Sequence, residues 1–238
     1  MENIHGQQTI AKEGACFFLG ALMRGYGRRL GKLLLGLLLM ATGSFLIVQA
    51  NIGLSPWTAF GMGFVHLTGA SLGSMMIATS VMIVLVDIAF REKIGLGTLL
   101  NCVMIGTVMD CIARTGLIPL MHNFWLGIPV LFSGLLLMCL GTYFYISTGL
   151  GCGPRDALMV ALCKRFPRTP VGVIRSSLEG SALFVGWLLG AKVGVGTIIA
   201  VFGIGIMIQA TFKILRFDVK SVRHESILET LQSFRRTS

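Results

Sequence analysis

Apolar residues run through this chain in long stretches, broken by short polar or glycine-rich seams. About 20 apolar residues in a helix, rising 1.5 Å each, cross the roughly 30 Å hydrocarbon core of a bilayer. Stretches of that order lie at 31–50, 71–90, 97–116, 127–148, 171–190 and 196–215. Two shorter pieces intervene. Gly53-Leu54-Ser55-Pro56-Trp57-Thr58 leads into one ending near Leu67, and Gly151-Cys152-Gly153-Pro154-Arg155-Asp156 into one ending near Cys163. Each holds about 12 residues, roughly 18 Å of helix, or half a bilayer. Each starts on proline, which suits the first helical position because its missing N–H would be unpaired there. The pattern predicts an all-α polytopic membrane protein. The short alternating strands of a β-barrel are not seen.

The pattern also repeats. Gly36-Leu37-Leu38-Leu39-Met40 recurs as Gly134-Leu135-Leu136-Leu137-Met138, 98 residues later. At that offset Gly43, Gly53, Pro56 and Ala59 meet Gly141, Gly151, Pro154 and Ala157. After a slip of one residue, Lys93-Ile94-Gly95-Leu96-Gly97-Thr98 meets Lys192-Val193-Gly194-Val195-Gly196-Thr197, and Gly106 meets Gly205. Leucine runs match by accident, whereas ordered Gly, Pro and Thr matches indicate a duplication, a common plan in transporters. The expected fold is two tandem inverted repeats, each of three transmembrane helices plus a re-entrant half-helix. The first covers 31–117 and the second 127–215. A cytoplasmic or interfacial segment (1–30) precedes them, and a basic amphipathic cytoplasmic tail (216–238) follows. The apolar run Ala15–Met23 is too short to span and is expected on the membrane surface.

Charge orients this plan. If the short pieces re-enter, both termini, Arg91, Lys93, Lys164, Arg165, Arg168 and Lys213 face the cytoplasm, leaving Arg114 and Lys192 outside. If they cross fully, there are eight spans and Arg91, Lys93 and Arg155 move outside. The re-entrant scheme fits the positive-inside rule better and accounts for the short lengths. Only 13% of residues are charged and mean hydropathy is +0.82, which excludes an ordinary soluble core. The net charge of +10 falls at the ends of apolar runs, so it reads as topology and lipid contact, not as nucleic-acid binding. The six cysteines are scattered, without a CxxC pair, and read as core residues. No metal site, cofactor or catalytic constellation is implied, and the chain is not read as an enzyme.

Ionisable groups inside a membrane are costly, so each is a candidate. Arg155 and Asp156 stand at the start of the second half-helix, and Ser55, Trp57 and Thr58 at the start of the first. Two half-helix N-termini could present unpaired N–H groups and positive dipole ends to the middle of the membrane. Arg155 adds a full charge, Ser55 and Thr58 hydroxyls, and Trp57 an aromatic wall. These five residues are the candidate substrate site. Arg175 and Glu179, spaced i,i+4 on one helix face, form a candidate ion pair, structural or functional. Asp87 reads as interfacial and Asp110 as deeper, a candidate coupling residue. Gly36/Gly43 and Gly134/Gly141, seven residues apart, read as helix packing. Gly95-Leu96-Gly97-Thr98 and its copy read as turns with the threonines as N-caps.

The stretch Gly53 to Phe60, Gly95 to Asn101 with Gly106 and Asp110, Gly151-Cys-Gly-Pro-Arg-Asp-Ala157, and Arg175 with Glu179 resemble the YczE/YyaS/YitT integral membrane proteins of bacteria. The resemblance covers about residues 31–212. The family pattern has Gly where this chain has Ala157, small for small. The resemblance implies a bacterial inner-membrane protein with a transport role, and assigns no substrate. The expected function is a permease for a small anionic or zwitterionic solute, its pathway at the interface of the repeats. The expected partners are the lipid bilayer and that solute, with a homo-oligomer left open. A membrane scaffold docking another protein through the basic tail is the alternative.

Overall fold

A computed structural model of the chain describes the backbone of residues 2–92 and 94–217, and side chains from Tyr26 onward, Val171 excepted. The expected tail helix lies outside the described residues beyond Phe217, as do the side chains of the run at 15–23. Helices are the only regular structure among the described residues: α1 (Glu2–Ala50), α2 (Pro56–Thr68), α3 (Leu72–Ala89), α4 (Leu96–Thr115), α5 (Phe124–Ile146), α6 (Pro154–Arg165), α7 (Val171–Leu188) and α8 (Val195–Ile214). Both short helices begin at their prolines, with 13 and 12 residues. Helices α3 and α7 each have 18 residues, α4 and α8 each 20.

Tyr26–Ala50 of α1, with α3, α4, α5 and α8, are long and apolar enough to cross a membrane. Helix α7 matches α3 in length but falls short in hydropathy because Arg175 and Glu179 interrupt it. Large apolar side chains point away from the bundle: Leu85, Phe202 and Ile206 are 61%, 70% and 70% exposed. Surfaces of that kind are stable only where lipid covers them. The chain is a multi-pass membrane protein.

Helix α1 is the centre of the core, with Leu33, Leu37 and Ala41 completely buried. It runs antiparallel to α5, and glycines let the backbones touch. A Cβ at Gly36 would lie 2.8 Å from the Gly141 carbonyl oxygen, and one at Gly43 would lie 2.5 Å from that of Gly134. Helix α4 flanks α1 in parallel, bringing Leu100 and Met104 to Leu33 and Met109 to Ala41. Helix α8 flanks α5, bringing Ala200 to Leu131 and Leu135. The short helices pack crosswise between the halves. Helix α2 lies on α7, where a Cβ at Gly63 would come 2.7 Å from Cβ of Leu189. Helix α6 lies on α3, and Lys164 Nζ in the last turn of α6 meets Oε2 of Glu92, just past the end of α3, at 2.7 Å.

Candidate functional site

Each short helix is aimed by the loop before it, and each loop is pinned to the last long helix of the other half. Gly196 donates its N–H to the Ile52 carbonyl (2.9 Å) and Leu54 donates its N–H to Thr197 Oγ1 (3.0 Å). In the same way Gly97 donates to the Leu150 carbonyl (2.8 Å) and Thr98 Oγ1 to the Cys152 carbonyl (2.6 Å). The threonines are therefore not N-caps. Gly95 and Gly194 hold that position, and each threonine sits three residues on, its Oγ1 accepting the glycine N–H at 3.2 and 3.3 Å. Glycine is needed there because the loop comes so close: a Cβ at Gly194 would be 2.6 Å from the Ile52 oxygen. Gly53 and Gly151 have φ of 149° and 126°, a region that side chains with a Cβ rarely adopt.

So aimed, the N-termini of α2 and α6 open into one cavity of about 330 Å³ at the meeting of the two halves. Ser55, Trp57, Arg155, Asp156, Arg175 and Glu179 all line it. The Arg155 guanidinium carbon stands 5.1 Å from the centre of the Trp57 ring, a cation–π contact that joins the two half-helices. Arg175 Nε donates to Glu179 Oε1 at 3.1 Å. The rest of the wall is largely apolar, including Leu135 and Met138 of α5 and Ile204 and Ile208 of α8.

Two expected residues are elsewhere. Thr58 is 2% exposed, and its Oγ1 lies 2.7 Å from Ser55 Oγ; it shapes the turn and does not line the cavity. Asp110 closes the start of α3, taking the Gly73 N–H on Oδ1 at 2.8 Å and the Ser71 hydroxyl on Oδ2. That satisfies a donor which a helix start would otherwise leave unpaired. Asp87, read as interfacial, has no solvent exposure, and neither carboxylate oxygen has a hydrogen-bond partner among the described residues.

Tyr145 was not legible as a site residue. It is 2% exposed and lines the cavity, and its hydroxyl has no hydrogen-bond partner among the described residues. Asn101 lines the same wall. A lone tyrosine or asparagine in an apolar run carries no local signal; only the fold brings them to Arg155. The chemistry is thus two helix N-termini and an arginine able to grip a carboxylate or phosphate by both oxygens. Asp156 and Glu179 bring two carboxylates to the same wall, Glu179 in its pair with Arg175. No group of three or more metal-ligating side chains occurs among the described residues.

A family model described as a family of unknown function, DUF6198, matches residues 27–213. An uncharacterized protein of Haemophilus influenzae is 38% identical over 183 residues, covering 77% of this chain and 83% of the relative. The uncharacterized membrane protein YczE of Bacillus subtilis is 31% identical over 176 residues, covering 73% of this chain and 80% of YczE. The uncharacterized protein YyaS of Bacillus subtilis is 25% identical over 183 residues, covering 76% and 90%. No solved structure matches. By the extent of these matches, this multi-pass membrane protein belongs to the DUF6198 family and has YczE and YyaS as relatives.

Proposed function

We propose that the chain is an inverted-repeat transporter of the bacterial inner membrane, carrying a small anionic or zwitterionic solute between its two halves. The observation that carries this reading is the convergence of both half-helix N-termini, with Arg155 and Trp57 in contact, on one cavity whose otherwise apolar wall carries Ser55, Asp156, Arg175 and Glu179. A scaffold would have those groups packed dry against each other.

The antiparallel contact of α1 and α5 supports the inversion. Helices that start on opposite faces of a membrane are separated by an odd number of crossings. Helices α1, α3 and α4 supply three, so the 13-residue α2 turns back, and α6 does the same in the second half. The end of α2 stays beside the end of α7: a Cβ at Gly190 would be 3.4 Å from His66 Nδ1. Both termini then face the cytoplasm. Single cysteines in a cysteine-free protein test this. A cysteine at Arg91 should react with an impermeant thiol reagent only from the cytoplasm, and one at His122 only from outside. Labelling at 91 from outside would restore eight spans.

The solute class is tested with the purified full-length protein. Thermal-shift screening should find stabilisation by compounds bearing a carboxylate or phosphate, amino acids included, and the hits should then enter proteoliposomes. A screen that returns cations alone would sink the anionic or zwitterionic assignment.

A further inference from the structure

The two halves stand in different states. In the first, α3 and α4 are shut together. Gly73 and Gly106 meet backbone to backbone with no room for a Cβ at either. Met76 and Met109 share a buried cluster, and Asp110 holds the Gly73 N–H at 2.8 Å. Ninety-nine residues on, Gly73, Met76, Gly106, Met109 and Asp110 become Gly172, Arg175, Gly205, Ile208 and Gln209. There the helices are apart. A Cβ at Gly172 or at Gly205 would meet nothing within 4 Å, and Arg175 and Ile208 both line the cavity. Helices α7 and α8 pack against other neighbours and have no contact comparable to that of α3 with α4.

On the topology above, the open pair lies toward the cytoplasm and the shut pair toward the outside. The α7 N-terminus follows Arg168, and the α8 C-terminus carries Lys213. Equivalent helix pairs, one shut and one open on opposite faces, are the two ends of a single motion when repeats are inverted. We propose that the molecule has a second conformation in which α7 closes on α8 through Gly172 and Gly205, while α3 parts from α4 and opens the cavity outward. This rests on the inverted-repeat transporter reading. In the second state the Gln209 side-chain oxygen takes the Gly172 N–H, as Asp110 takes that of Gly73 here. The glycine contact and the helix-start hydrogen bond lost in one half are made again in the other, so on these two counts the states stand on like terms. They are not equal, because a hydrogen bond to a carboxylate is stronger than one to an amide. Asp110 therefore biases the protein toward the state described here.

The test uses full-length, cysteine-free protein in native membranes, spin-labelled at single cysteines introduced at the exposed Phe166 and Leu215. Gly172 and Gly205 themselves are left intact, because closure there leaves no more room for a Cβ than Gly73 and Gly106 have here. A second, shorter distance that Asp110→Asn makes severalfold more populated supports the proposal. One unchanging distance in both backgrounds, in protein that elutes as folded, overturns it. Closure without uptake of any solute would remove transport and leave the two states standing. Uptake without closure would do the reverse.

Discussion

Gly43→Val should leave almost no folded protein. The added methyls would enter from a Cβ already 2.5 Å from the Gly134 carbonyl oxygen and 2.8 Å from the Met138 nitrogen. Both are backbone atoms, so no rotamer change relieves the clash, and α1 and α5 have to separate along their crossing. Overpacking of a core costs about 1–3 kcal/mol even where side chains can yield, and here they cannot. In lipid no hydrophobic drive pulls the helices back together, since lipid tails solvate their faces as well as leucine does. Folded yield and thermal midpoint in detergent measure the effect. Gly180→Val is the control, because a Cβ there would meet nothing within 4 Å, and its midpoint should stay near wild type. Equal behaviour of the two variants would show that the glycine crossing does not hold the halves together.

Arg155→Ala should weaken binding of a carboxylate or phosphate ligand by about thirtyfold or more, while folded yield stays similar. Removing one partner of a desolvated charged pair costs roughly 2 kcal/mol upward, and each 1.4 kcal/mol is tenfold. Arg155→Lys keeps the charge but loses the two-pronged donor and the flat face that stacks on Trp57, so it should fall between. Calorimetric titration with the hits of the thermal-shift screen gives the order. Binding that is indifferent to Arg155→Ala would move the site to the acidic residues, and Asp156 and Glu179 would then define a cation path.

The helices were legible because each reports on itself. Apolar length marks the long helices, and Pro56 and Pro154 mark the first residue of each short one. The charged pair on α7 was also legible, since i,i+4 spacing alone sets Arg175 against Glu179. Tertiary neighbours were not. Asp110 looks like a functional charge in a span, yet it serves as the acceptor for the start of α3, and nothing near Asp110 in sequence names Ser71 or Gly73. Asp87 lies near the end of its span, where solvent is the natural expectation, but it is completely buried in the fold. The meeting of Trp57 with Arg155 depends on loops pinned by Thr197 and Thr98, 143 residues away in the first case and 54 in the second.

Gly36 meets Gly141 and Gly43 meets Gly134; moving every number by one repeat turns the first contact into the second. Such a surface complements a rotated copy of itself, as the interface of a symmetric dimer does. On the duplication reading, a half-length ancestor inserted both ways up would assemble through these same four glycines without any second sequence. Fusing the copies then released each half from having to serve in both roles. Met76 and Ser80 stand in one half where Arg175 and Glu179 stand in the other: on the transporter proposed above, one lineage of side chains specialised in sealing, and its twin in meeting the solute.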